Sequence, residues 1–463
     1  MTDRKNKRAK KMGLGLISAG FIFFFFPDFT VLDILPDVIG YILISVGLTR
    51  LSDMYDEFTD TKKAFHRLVL FGVAKFLGIF IVYLFGTGSE QPTTILTTVF
   101  ILAAAECFLL IPAYLKLFDA LVNAATRLDG KAIFVGPKNK TGYVDKIKNF
   151  TVSFVIIKNL LWLLPETQAL AVTDNFQSYN YSRYDFINHY RLLSMIVILV
   201  IGIIWLVKIR RYISAIKKDE PFMDRLYDKY KTEILPDTSI LARRKLNLAL
   251  SVFMLGAILS VDFYIDGNEG LNIIPDTLSA ICFLFGSIML ADKTSKIKLP
   301  SVALSVIYGI VSAVSYWVSY DFSQKHHPFD VSRKPIAFQY WNTLFALSVI
   351  EAILFISAVI VICLLIYESV KKNTGYEPTH AMIDPLARAA ELHKSVRNML
   401  TVSCVFGFLS AISSSFRVYS FSIYSIAEAS WLIEFGLTAI FAGTFIFMLY
   451  KVKEKAEEKY LFS

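Results

Sequence analysis

The chain has 463 residues, 55% of them hydrophobic, 14% aromatic and only 19% charged, with a mean hydropathy of +0.52. Such a balance excludes an ordinary soluble domain and points to a bilayer. The formal charge of +9 lies in short stretches flanking apolar runs, a placement that suits lipid headgroups and not a nucleic acid.

A helix is the open structure that satisfies its own backbone in hydrocarbon, and about 17 to 25 helical residues cross it. Twelve apolar stretches meet or approach that length, at about 9–26, 35–51, 67–86, 93–117, 149–165, 190–209, 246–265, 274–291, 299–319, 340–366, 397–416 and 427–450. The first has a basic start, as a signal peptide does, but Phe23 to Phe26 lead straight into Pro27-Asp28-Phe29 with no small-residue cleavage site. It is expected to stay in the mature chain. From Leu14 to Phe26 is only about 20 Å of helix at 1.5 Å per residue, so this hairpin is either spanning or re-entrant.

Orientation follows from the cations. With the amino terminus inside, 40 of the 48 Lys and Arg flank cytoplasmic ends, 6 flank outer ends, and Lys75 and Lys158 fall within spans. The positive-inside rule then puts both termini in the cytoplasm of a multi-pass cell-membrane protein. Compact loops and Lys-rich tails fit a bacterial inner membrane. The outer side carries about fourteen acids against those six bases, which favours cationic ligands at the outer mouth.

The chain repeats itself at a period near 240 residues. Leu32-Asp33-Ile34-Leu35-Pro36-Asp37, followed by Ile42, Gly47, Leu51 and Asp53, returns as Leu271-Asn272-Ile273-Ile274-Pro275-Asp276, followed by Ile281, Gly286, Leu290 and Asp292. Glu106 then matches Glu351, and Asn149 with Thr151-Val152-Ser153 matches Asn398 with Thr401-Val402-Ser403. The expected fold is an all-α integral membrane protein of about 12 transmembrane helices, built as two parallel six-helix pseudo-repeats. An even number per half gives both halves one orientation. The expected divisions are 1–209 for the first half, 210–245 for a charged cytoplasmic connector and 246–463 for the second half. This organisation resembles that of the major facilitator superfamily of secondary transporters. That family's Gly-x-x-x-Asp motif with trailing bases is not present, since the corresponding loop reads Arg50-Leu51-Ser52-Asp53-Met54-Tyr55-Asp56-Glu57.

Ionisable residues inside a membrane are functional candidates by default, because leaving them unpaired costs several kcal/mol. Five stand out: Lys75, Glu106, Lys158, Glu351 and Glu434. Glu106 and Glu351 take equivalent positions near mid-span. Two arrangements suit them: facing one central cavity to bind a cation or carry protons, or pairing within each half, for instance Glu106 to Lys75, as interhelical staples. Lys158 and Glu434 lie nearer the outer ends, where a Lys stem can snorkel to water. Asp37 and Asp276 either cap helix starts, with Pro beside them, or capture an external cation or cationic group. His326-His327 with His189 is a weak metal pattern. Cys107, Cys282, Cys363 and Cys404 lie apart in apolar runs as packing residues.

No phosphate loop, His-Glu-x-x-His or Gly-x-Ser-x-Gly occurs, so no enzyme activity and no cofactor is expected. The leading expectation is a proton- or cation-coupled secondary transporter with a midplane cavity between its halves. The alternative is a membrane scaffold or sensor subunit whose cytoplasmic segments bind a protein partner. A lipid carrier or intramembrane enzyme ranks below both.

Overall fold

The computed structural model of the protein describes residues 12–26, 37–85, 91–135, 142–173, 181–236, 238–262, 272, 274–290, 296–372 and 385–460. Among these there are helices and turns and no strand. The apolar helices are α1 (Leu14–Gly20, continued by a 3-10 turn Phe21–Phe23), α2 (Asp37–Ser52), α3 (Asp56–Phe85), α4 (Gln91–Arg127), α5 (Tyr143–Thr173) and α6 (Tyr181–Lys218). After α7 (Glu220–Lys229) come α8 (Thr238–Leu259), α9 (Asp276–Leu290), α10 (Lys298–Lys325), α11 (Pro335–Lys372), α12 (Pro385–Ser420) and α13 (Tyr424–Tyr460). Each of the twelve apolar stretches overlaps one of these helices within its described residues, the seventh only as far as Leu259. Among the described residues, seven helices are long and apolar enough to cross a membrane, on α4, α5, α6, α10, α11, α12 and α13. Their outward faces carry large apolar side chains, Phe108 at 80% and Trp317 at 69% exposure. Water makes such a surface costly and lipid does not. The chain is therefore an all-helical, multi-pass membrane protein.

The chain divides into two compact units, Met1–Ile240 and Leu241–Ser463. Within the first unit, consecutive helices from α1 to α6 pack side by side, and α1 also touches α6. The α1–α2 contact is made by glycines. A methyl group on Gly20 would sit 2.7 Å from the Gly40 carbonyl oxygen, and one on Gly47 2.9 Å from that of Gly13. Gly13 itself has φ +85°, a left-handed conformation that a side chain disfavours. Above this contact Phe21, Phe24, Tyr41, Tyr114 and Trp205 form a buried aromatic cluster.

The charged stretch after α6 does not hang free. Asp219 caps α7, accepting from the Phe222 amide at 3.3 Å, and its other oxygen accepts from the Ala132 amide at 2.9 Å. Phe222, Met223 and Leu226 are buried, and Arg225 reaches the Leu128 carbonyl and Asp129. The first part of the connector is thus docked on the first unit through its apolar face.

In the second unit α9 to α13 pack in sequence, with α9 also touching α11. The α8–α9 contact pairs glycine with ring, Gly286 against Phe253 and Gly256 against Phe283. One end is closed by a core of Phe322, Val331, Trp341, Leu344 and Phe421, tied by the Trp341 indole donating to the Val418 carbonyl at 2.7 Å. The Pro27 to Pro36 hairpin lies outside the described residues, as does most of the Asp266 to Pro275 hairpin.

Candidate functional site

Each unit holds a buried cluster of charge. In the first, Asp37 opens α2, Lys75 projects from α3, Glu106 from α4 and Lys158 from α5. Lys75 Nζ stands 3.2 Å from Asp37 Oδ2 and 2.7 Å from Glu106 Oε2. Lys158 Nζ stands 3.4 Å from the same Asp37 oxygen and 3.5 Å from Glu106 Oε1. All four side chains are at most 4% exposed. Two acids and two bases form a formally neutral quartet joining four helices. Neutrality is what burial requires, since an uncompensated charge there costs several kcal/mol. Phe71 and Trp162 flank the Lys75 ammonium at 5.9 and 5.4 Å from their ring centres.

Glu106 and Lys75 are thus partners, and Lys158 turns inward to the quartet instead of snorkelling outward. Asp37 begins its helix, where the dipole favours an anion, but its carboxylate is engaged by both lysines.

The second unit is built differently. Asp262 at the end of α8, Asp276 opening α9, Glu351 on α11 and Glu434 on α13 line one cavity of about 110 Å³. Arg417 of α12 is the basic residue among its lining groups, with Nε 3.4 Å from Glu434 Oε2. Serines supply most of the remaining polar wall, including Ser260, Ser312, Ser315, Ser348, Ser410 and Ser414. Ser312 and Ser315 of α10 line the cavity together with Glu351. Asn272 donates to Asp262 and closes part of the rim. Tyr308 and Phe355 add aromatic walls. Four carboxyls meet one guanidinium, and Asp276 Oδ1 has neither accessible surface nor a hydrogen-bond partner. Such an orphaned acceptor is expensive unless something supplies a donor.

Glu106 and Glu351 accordingly lie in different units, each surrounded by its own unit's residues. Asp276, Glu351 and Glu434 come together; Asp37, Lys75, Glu106 and Lys158 come together. Sequence reasoning missed Asp262, which stands inside the seventh apolar stretch and counts there only as one acid of the outer side. Arg417 falls one residue past the eleventh stretch. Both sit where charges are ordinarily interfacial, so only packing reveals that they are 6% and 4% exposed. A further unforeseen pair is Glu166, 2% exposed, held by Arg191 at 3.0 and 2.8 Å. The serine wall had a weak signal, in the serines spaced along α10 from Ser301 to Ser319.

His326 packs on Phe322 and Tyr340, and among the described residues no group of three His, Cys, Asp or Glu is placed to hold a metal ion. All four cysteines are free thiols.

Comparison with family models, with curated proteins and with solved structures returns no match.

Proposed function

We propose that this chain is a secondary transporter of the cell membrane, without enzymatic activity, moving a proton or a small cation through the acidic cavity of its second unit. Twelve spans arranged as two like-oriented six-helix pseudo-repeats, with both termini cytoplasmic in a bacterial inner membrane, complete this reading. The observation that supports it is the charge balance of that cavity. Four carboxyls against one guanidinium, in a serine-lined space, leave negative charge that burial penalises unless protons or a cation neutralise it. The first unit supplies the contrast, because its quartet is neutral by itself and suits a structural staple. Under the positive-inside assignment, the end of α8, the start of α9 and the early part of α13 face outward, which would let a cation enter the cavity from outside.

A second reading is favoured by a different observation. The neutral quartet of the first unit and the docked α7 suit a scaffold or sensor whose cytoplasmic face binds a protein partner.

The test is flux into proteoliposomes holding the purified full-length chain, followed with a pH-sensitive dye and with cation tracers. Flux in wild type that disappears in folded Glu351→Gln or Asp276→Asn supports the transporter. Absence of proton or cation flux in correctly folded wild type across the panel overturns it and leaves the scaffold reading.

A further inference from the structure

The two units keep one pair of acids in matching places and differ in what faces it. Asp37 opens α2 and Glu106 lies on α4; Asp276 opens α9 and Glu351 lies on α11. In the first unit this pair closes on two ammonium groups, those of Lys75 and Lys158, at 2.7 to 3.5 Å. In the second unit α10 places Ser312 and Ser315 in the cavity wall with Glu351, whereas α3 sets Lys75 against Glu106. Among the described residues no lysine lines that cavity.

The acids are therefore retained while the two lysines are replaced by a single guanidinium, that of Arg417 beside Glu434, and the space is open. Its 110 Å³ is several times what one water needs, and Asp276 Oδ1, enclosed in its wall, has no donor. We propose that the second unit's cavity binds a primary alkylammonium ion, whose –NH3+ group sits between Asp276 and Glu351 as the Lys75 ammonium sits between Asp37 and Glu106. This inference rests on the reading of that cavity as a cation site and adds the class of cation.

An ammonium group brings three donors to a site rich in acceptors, namely carboxylates and serine oxygens. Tyr308 and Phe355 of the cavity wall would flank the guest's alkyl chain. A quaternary ammonium offers no N–H, and an inorganic cation leaves the apolar part of the wall unfilled. The first unit thus carries, covalently attached, a copy of the guest that the second unit takes from solution.

The experiment is thermal unfolding of the detergent-purified full-length chain, titrated at fixed pH and ionic strength with propylammonium, tetramethylammonium or sodium chloride. Propylammonium is expected to raise Tm saturably, and the other two to leave it unchanged at equal concentration. Glu351→Gln should weaken the response by about tenfold or more, the loss of one charge-assisted contact. Ser315→Lys, which supplies an internal ammonium, should abolish the response; if that variant does not fold, Asp276→Asn tests the same point. A wild type that does not respond to propylammonium overturns the proposal, as does a response that survives all three substitutions or is matched by sodium. Proton flux without propylammonium binding refutes the substrate class and leaves the transporter. Binding without flux refutes the transporter and leaves the site.

Discussion

At the level of single residues, the two clusters show what the bilayer permits. Lys75, Glu106, Lys158 and Asp37 are tolerated because each meets opposite charge within 3.5 Å. Lys158→Met removes one cation and leaves a buried carboxylate in excess, which should cost about 3–5 kcal/mol. Adding Asp37→Asn restores neutrality and should recover much of the loss, both read from thermal unfolding in detergent. If the double variant is no better than the single one, packing and not charge governs the quartet. The four residues were legible as candidates because an ionisable group in an apolar stretch is conspicuous. Their partnership was not, since Lys158 and Asp37 stand 121 positions apart and no local pattern encodes that approach.

At the level of elements, the short α1 depends on a close backbone contact. Small residues at such a crossing let helices approach without a side chain between them. Gly20→Ala would push a methyl group to 2.7 Å from the rigid Gly40 carbonyl, and overpacking of that kind costs about 1–3 kcal/mol. Gly15→Ala, in the same helix, meets nothing within 4 Å and serves as the neutral comparison. Equal unfolding temperatures for the two variants would remove the tight contact from the account. The apolar stretches were readable as helices from their composition. The glycine-to-glycine seam of α1 and α2 and the glycine-to-ring seam of α8 and α9 were not, because both depend on which faces meet. The connector shows the same limit: its charges marked a polar segment, but Phe222, Met223 and Leu226 are buried and Asp219 and Arg225 tie it to the turn at Leu128 to Ala132.

At the level of the whole molecule, orientation is an expectation from the placement of Lys and Arg that helix packing by itself does not address. In a cysteine-free background, Ser332→Cys in the exposed turn after α10 should react with a membrane-impermeant maleimide on intact cells. Asp224→Cys in α7 should react only after the membrane is opened. Reversed labelling would invert the topology and move the acidic cavity's mouth to the cytoplasmic side.

Composition and the placement of Lys and Arg determined, without coordinates, that the chain is helical and membrane-embedded, because hydrocarbon forbids unsatisfied backbone and charge asymmetry directs insertion. The same constraint singled out Glu106, Glu351, Glu434, Lys75 and Lys158. Only the tertiary structure decided that Glu106 is neutralised by two lysines whereas Glu351 shares a cavity with Asp262, Asp276 and Glu434. Matching positions in two halves look alike along the chain. What separates a staple from an open site is the charge brought by other helices, and that sum is made in space.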